Sequence, residues 1–227
     1  MQRICTFTGA GGKQMLRLYA LPLDEDIPKR RQNRLSHLAA VDLLSTALAA
    51  DWHLPHCRML RDEQGKPYLA DVPLFVNISH CRGLAICAVA TLPVGVDCES
   101  PRVVKETTVT RICSGAEQAF LAASVHKPYD FSRLWTLKEA YGKCIGAGIR
   151  LPLAEIAFTI HGDTIAFCHP QGDAAYAFLQ LLLPDAHIAA MCIPKSNAVQ
   201  QIQYHLPQLR VCESQYLPKG AFCHVTD

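Results

Sequence analysis

The order in which helical and strand periods follow one another constrains the fold of this chain more than any other feature of its sequence. From about Lys29 to Ala50, Leu35, Leu38, Val41, Leu44, Ala47 and Leu48 recur at helical spacing behind the basic start Lys29-Arg30-Arg31, which predicts a long helix with one core face and one basic face. Turn chemistry at Asp62-Glu63-Gln64-Gly65-Lys66-Pro67 precedes three strand-like runs, Leu74 to Ile78, Leu84 to Ala90 and Val94 to Cys98. Their close spacing predicts antiparallel pairing. The helical period returns from Val103, and Ser114 and Glu117 have the spacing of a capping box. A further helix is predicted over Phe131 to Ile145, stopped by Gly146-Ala147-Gly148 and Leu151-Pro152. Strands are then expected near Glu155 to Ile160, Thr164 to Cys168, Ala174 to Leu183 and Ile188 to Ile193, with Gly162-Asp163 as a hairpin turn. Beyond Pro194 no period is clear.

Helix then strands, followed by helices then strands, is not the alternation of a parallel doubly wound sheet. The expected fold class is therefore α+β, built as two α+β halves over residues 1–100 and 101–194, with 195–227 as a C-terminal extension. With 227 residues, half of them hydrophobic, the chain can bury a substantial core. A formal charge of +2 supplies no global field toward nucleic acid or an anionic membrane, so neither is an expected partner. The eleven cysteines are scattered without a Cys-x-x-Cys pair, and read as small buried hydrophobes in a reducing compartment. No apolar run reaches the length of a membrane helix, so a cytoplasmic enzyme is expected.

Candidate chemistry gathers in four short segments. Asp97 and Glu99 lie two apart on a strand-like run, so both carboxylates point to one face and Cys98 points to the other. Two carboxylates about 4 Å apart repel by roughly 4 kcal/mol at an effective dielectric near 20, so such a pair calls for a cation, a shared proton or water. Trp135, Glu139 and Lys143 are four apart in succession and form one helical stripe. Asn77-Ile78-Ser79-His80 ends another strand ahead of the turn at Arg82-Gly83, and nothing like Gly-x-Ser-x-Gly accompanies it, which argues against a serine hydrolase. Alone, each segment also fits a solvated strand end, a surface ion pair or a turn. His53, His56 and Cys57 cluster as a zinc site would, yet lack a fourth ligand at structural spacing.

Taken together and in order, Gly65-Lys66-Pro67, Val76-Asn77-Ile78-Ser79-His80, Gly95-Val96-Asp97-Cys98-Glu99 and Trp135-Thr136-Leu137-Lys138-Glu139-Ala140-Tyr141-Gly142-Lys143 resemble the successive signatures of the surfactin-type 4′-phosphopantetheinyl transferases. The resemblance implies two halves packed as a pseudodimer in an active monomer, with coenzyme A in the cleft between them. It implies Mg2+ held by Asp97, Glu99 and Glu139, and coenzyme A phosphates held by Lys66, Ser79, His80 and Lys143, with Arg61 and Arg34 as further contacts. Glu139 is then the base and Lys143 the cation at the pyrophosphate. The acceptor is an apo acyl or peptidyl carrier protein. Many relatives carry an arginine in the first helix, in a Leu-Ala-Gly-Arg stretch that corresponds best to Leu38-Ala39-Ala40-Val41, where no arginine stands. Three acids with lysines also suit another magnesium-dependent phosphoryl or pyrophosphate-cleaving enzyme. A protein that only binds carriers or coenzyme A would have no use for the acids.

Overall fold

A computed structural model describes residues 1–25, 28–63, 65–147, 151–168, 175–206 and 209–222. The first half comprises strands β1 (Gln2–Thr8) and β2 (Gln14–Pro22), helix α1 (Lys29–Trp52), the hairpin β3 (Met59–Arg61) and β4 (Pro67–Leu69), and strands β5 (Phe75–Cys81), β6 (Leu84–Ala90) and β7 (Gly95–Glu99). Helices α2 (Glu106–Ile112), α3 (Gly115–Ala123) and α4 (Lys127–Ile145) follow, then β8 (Ala157–His161), β9 (Thr164–Cys168), β10 (Tyr176–Leu182) and β11 (Ile188–Pro194). The tail adds β12 (Gln201–Tyr204), β13 (Arg210–Ser214) and β14 (Ala221–Phe222).

These elements stack as four layers: α1, a first sheet, a second sheet and α4. The first sheet runs β14-β12-β1-β2-β6-β5 and the second β7-β11-β10-β13-β9-β8. The two-residue alternation of the strands decides what each layer buries. On β6, Leu84, Ile86, Ala88 and Ala90 enter the core between the sheets, while Ala85, Cys87 and Val89 pack with Leu43, Leu44, Ala47 and Leu48 of α1. On β11, Ala189, Met191 and Ile193 face the first sheet, and Ile188, Ala190 and Cys192 meet Leu134, Leu137, Ala140 and Tyr141 of α4. Strands buried on both faces read as continuous apolar runs.

Two expectations need correction. Leu35 and Leu38, assigned above to the core face of the first helix, are exposed, because the buried stripe of α1 runs instead through Ser36, Ala40, Leu43, Leu44, Ala47 and Leu48. The three runs of the first half do not form one sheet: β5 and β6 pair antiparallel, but β2 already occupies the other side of β6. β7 pairs instead with β11, placing Gly95 opposite Cys192 and Asp97 opposite Ala190. The tail also crosses between the halves, since β12 pairs with β1 and β13 lies between β10 and β9. Gly148 of the expected helix stop and Ala174 of the expected strand lie outside the described residues.

Candidate active site

The alternation that buries β7 also builds the site. Val94, Val96 and Cys98 enter the core between the sheets, so Gly95, Asp97 and Glu99 face α4. Gly95 is what lets the helix approach: a Cβ there would lie 2.0 Å from the Ala140 carbonyl oxygen and 2.3 Å from the Cys144 nitrogen. With α4 this close, its stripe of Trp135, Glu139 and Lys143 comes to rest against the two acids. Trp135 Nε1 donates to Glu99 Oε1 at 3.1 Å, and Lys143 Nζ reaches Asp97 Oδ1 at 2.7 Å.

β5 completes the floor. Asn77 Oδ1 accepts the Val96 N–H at 2.8 Å, pinning the edge of one sheet to the edge of the other. Ser79 Oγ donates to Asp97 Oδ1 at 2.7 Å and accepts from Lys143 Nζ at 3.0 Å. On the opposite face of β5, His80 meets His37 of α1 edge to face, with ring centroids 5.5 Å apart. Arg61 Nη2 lies 3.2 Å from His37 Nε2, and its other terminal nitrogen donates to the Gly65 carbonyl at 2.8 Å. Gly65 takes a positive φ of 83°, which glycine accommodates without strain. Lys66 caps the last turn of α4, donating to the carbonyls of Lys143 at 2.6 Å and Cys144 at 3.2 Å. These groups line one cleft of about 440 Å³. Glu139 and Lys143 also line a groove of about 730 Å³, with Ile112, Leu151 and Leu153, so both are reached from two sides.

The electrostatics follow from packing acids together under a helix. Burial raises the pKa of Glu99, and the charge of Asp97 adds to that, against the pull of Arg102, Trp135 and Lys143. Glu139 is likewise raised by burial and by Asp97, with Lys143 opposing. Burial works against the charge on Lys143, but the contact with Asp97 outweighs it and leaves the amine more basic than a free lysine. Lys66 is pushed down by burial, and His80 by burial, then by His37 and Lys143.

Beside the stripe, Lys138 faces away from the cleft and is fully buried with Glu117, at 0% and 1% side-chain exposure. Its ammonium donates to Glu117 Oε2 at 2.8 Å and to the carbonyls of Leu153 and Ile156. Glu117 closes the capping box on Ser114 and accepts the Phe158 N–H at 2.9 Å. This node fixes α3, α4 and the entry to β8 around one ion pair. Breaking such a pair on one side only costs about 3–5 kcal/mol.

The cleft thus gathers Lys66, Ser79, His80, Asp97, Glu99, Glu139, Lys143 and Arg61. Arg34 is exposed on α1, one helical turn before His37, and is not among the lining residues. His37 and Asn77 carry parts of the site that the sequence did not assign; His37 stands one position before the Leu38-Ala39-Ala40-Val41 stretch and gave no signal of its own. A hard divalent cation suits the oxygen donors here. Asp97 Oδ2 is buried with no hydrogen-bond partner, so it is open to such an ion. No three His, Cys, Asp or Glu side chains among the described residues converge into a ready-made cage, and this holds for His53, His56 and Cys57 as well. His53 instead ends α1 in the left-handed conformation, with φ 57°.

Acids and a lysine from β7 and α4 beneath a rim of Arg61 and Lys66 thus line one cleft, whose charges suit a divalent cation and an anionic ligand. Residues 93–192, which include β7 and α4, match the 4′-phosphopantetheinyl transferase superfamily. The chain is 34% identical over 109 residues to the 4′-phosphopantetheinyl transferase Sfp of Bacillus subtilis, covering 47% of this chain and 49% of that protein. It is 34% identical over 142 residues to the 4′-phosphopantetheinyl transferase HetI of a Nostoc species, covering 58% of each. It is 32% identical over 95 residues to the gsp transferase of Aneurinibacillus migulanus, covering 41% of this chain and 40% of that one. The chain spans about half the length of the first of these relatives. Over residues 93–192 the chain is therefore similar to that superfamily, and the curated relatives it matches are named 4′-phosphopantetheinyl transferases.

Proposed function

We propose that this chain transfers 4′-phosphopantetheine from coenzyme A to a serine of an apo acyl or peptidyl carrier protein, with Mg2+, releasing adenosine 3′,5′-bisphosphate. One observation carries the reading: the acids of β7 and the Glu139–Lys143 stripe of α4, both within the segment that matches the superfamily, face the same cleft as Lys66, Ser79 and His80.

The chemistry asks for three things. The pyrophosphate must be held in line with its charge compensated, the serine hydroxyl must lose a proton, and the bisphosphate must leave. Asp97, Glu99 and Glu139 would hold Mg2+, which when bound neutralises phosphate charge. Lys143 already spans Ser79 and Asp97, and its raised basicity keeps it cationic toward the leaving oxygen. Glu139 takes the serine proton, and its raised pKa makes it a stronger base than an exposed glutamate. The hydroxyl oxygen bonds to the β-phosphorus as the bond to the bisphosphate oxygen breaks. Because Glu139 and Lys143 are reached from two sides, nucleotide and acceptor can approach without crossing. Both sheets are covered by helices of the same chain, which supports a monomer as the working unit. The cytoplasm, where coenzyme A meets carrier proteins, is the compartment the reaction needs.

Mass spectrometry of apo-carriers incubated with the protein, coenzyme A and Mg2+ tests the reading. A gain of the phosphopantetheine mass that a chelator abolishes is expected, and Glu139→Gln should cut turnover by about two to four orders of magnitude while still binding coenzyme A. No gain on any carrier, or near wild-type transfer by that variant, overturns it.

A further inference from the structure

β5 is tied to β7 through alternate residues. Asn77, Ser79 and Cys81 lie two apart and share one face of the strand. Asn77 accepts the Val96 N–H at 2.8 Å and Ser79 donates to the Asp97 carboxylate at 2.7 Å. The next residue on that face of β5 is Cys81 and the next along β7 is Cys98, so the third rung of the ladder is a pair of free thiols. Cys98 Sγ lies 4.0 Å from the Leu84 carbonyl oxygen, and Leu84 is the residue paired with Cys81 across the β5–β6 hairpin. Cys81 packs against the core cluster that contains Cys98. Burial, and after it hydrogen-bond contact with the Cys81 thiol, pushes the Cys98 thiol up.

The two thiols differ in access. Cys98 is 1% exposed, whereas Cys81 is only partly buried and lines a cavity of about 520 Å³ with Arg82, Glu99 and Arg102. A reachable thiol backed by a sealed one lets an oxidised sulfur meet a resolving partner before it is oxidised further. Cys144 and Cys192 share the core beneath α4, but at 5% and 0% exposure neither is reachable.

We propose that Cys81 and Cys98 are a redox modification site, closed to a disulfide by a peroxide and reopened by thiols. The Cys81 sulfur attacks a peroxide oxygen: an S–O bond forms, the O–O bond breaks and water leaves. The Cys98 sulfur then attacks the Cys81 sulfur: the S–S bond forms, the S–O bond breaks and a second water leaves. The two waters carry off both thiol protons, and the two thiols supply the two electrons that reduce the peroxide. In a reducing compartment such a bond is transient, as a sensor requires. Closure brings the sulfurs from contact to about 2 Å, and the pull falls on the residue between Asp97 and Glu99. A displacement of about 1 Å at reacting groups costs about a hundredfold in rate, so the disulfide switches turnover off. The bond stands apart from the transferase reading; its effect on turnover rests on that reading.

Hydrogen peroxide treatment of the full chain, followed by alkylation and non-reducing peptide mapping, tests it. Trypsin cleaves after Arg82, so a Cys81–Cys98 bond joins two otherwise separate peptides, and fragmentation tells Cys98 from Cys87 on the same peptide. The linked pair is expected in the wild type, with carrier modification down about a hundredfold and restored by dithiothreitol. Cys81→Ser and Cys81→Ala, checked by thermal melting, should transfer like the reduced wild type and keep that rate after peroxide. Absence of the linked pair from the oxidised wild type overturns the site. A linked pair with undiminished transfer, or a reversible loss that the Cys81 variants share, overturns the switch. A linked pair in a chain that modifies no carrier even when reduced supports the site and overturns the transferase reading. Transfer by a wild type that forms no linked pair does the reverse.

Discussion

A histidine beside two guanidiniums is a poor proton acceptor, and His205 is in that position. Its Nε2 lies 2.9 Å from Thr6 Oγ1, and burial, then Arg3 and Arg17, hold its pKa below 6.5. The folded chain therefore binds fewer protons than the unfolded chain below about pH 6.5, so stability falls as pH drops through that window. His80 pushes in the same direction. Thermal midpoints at pH 7.5 and 5.5 should show a drop that is smaller in His205→Gln; an equal drop would remove His205 as a contributor. At this scale the acids of the site were legible, because a period of two aligns Asp97 with Glu99 and a period of four aligns Glu139 with Lys143. His37 was not, since a histidine on a long helix declares its role only when a hairpin and another strand close on it. Lys138 was quoted within its motif, but its burial against Glu117 depends on a partner twenty-one residues earlier that no local period points to.

Among the elements, the contact between β7 and α4 sets the site, and Gly95 sets the contact. Gly95→Ala drives a methyl into the backbone at Ala140 and Cys144, and backbone has no rotamer through which to yield. The helix must move off the strand, carrying Glu139 and Lys143 away from Asp97 and Glu99. A loss of about 1–3 kcal/mol or more in urea unfolding is expected, with loss of transfer beyond what the unfolded fraction explains. Full activity in a folded Gly95→Ala protein would contradict the geometry. The helices and most strands after Lys29 were readable from period and capping. β1 and β2 drew no prediction, as central strands packed on both faces lack a clean alternation. The partner of β7 escaped for another reason: pairing across some ninety residues leaves no local trace.

For the molecule as a whole, the tail is structural. Ile202 and Tyr204 of β12 and Leu209, Cys212 and Leu217 around β13 are buried, and Tyr204 donates to Glu213 between the two strands. Without β13, the β8–β9 hairpin loses its link to β10, and without β12 the edge of β1 is bare. A chain ended at Pro194 should fail to give the near-ultraviolet dichroism of a packed core, and should aggregate on expression. A truncated chain that melts like the full one would show the tail to be dispensable. Nothing in the local pattern after Pro194 announced this, because its short strands borrow their order from sheets built elsewhere in the chain.

The crossing of β7 and β12 between sheets also governs how the polypeptide matures on the ribosome. β7 waits for β11, and β1 waits for residues 201–204, so each of these edges is closed by a strand made much later. Until those strands emerge the nascent chain carries open sheet edges, and neither sheet has all its strands before residues beyond 200 are made.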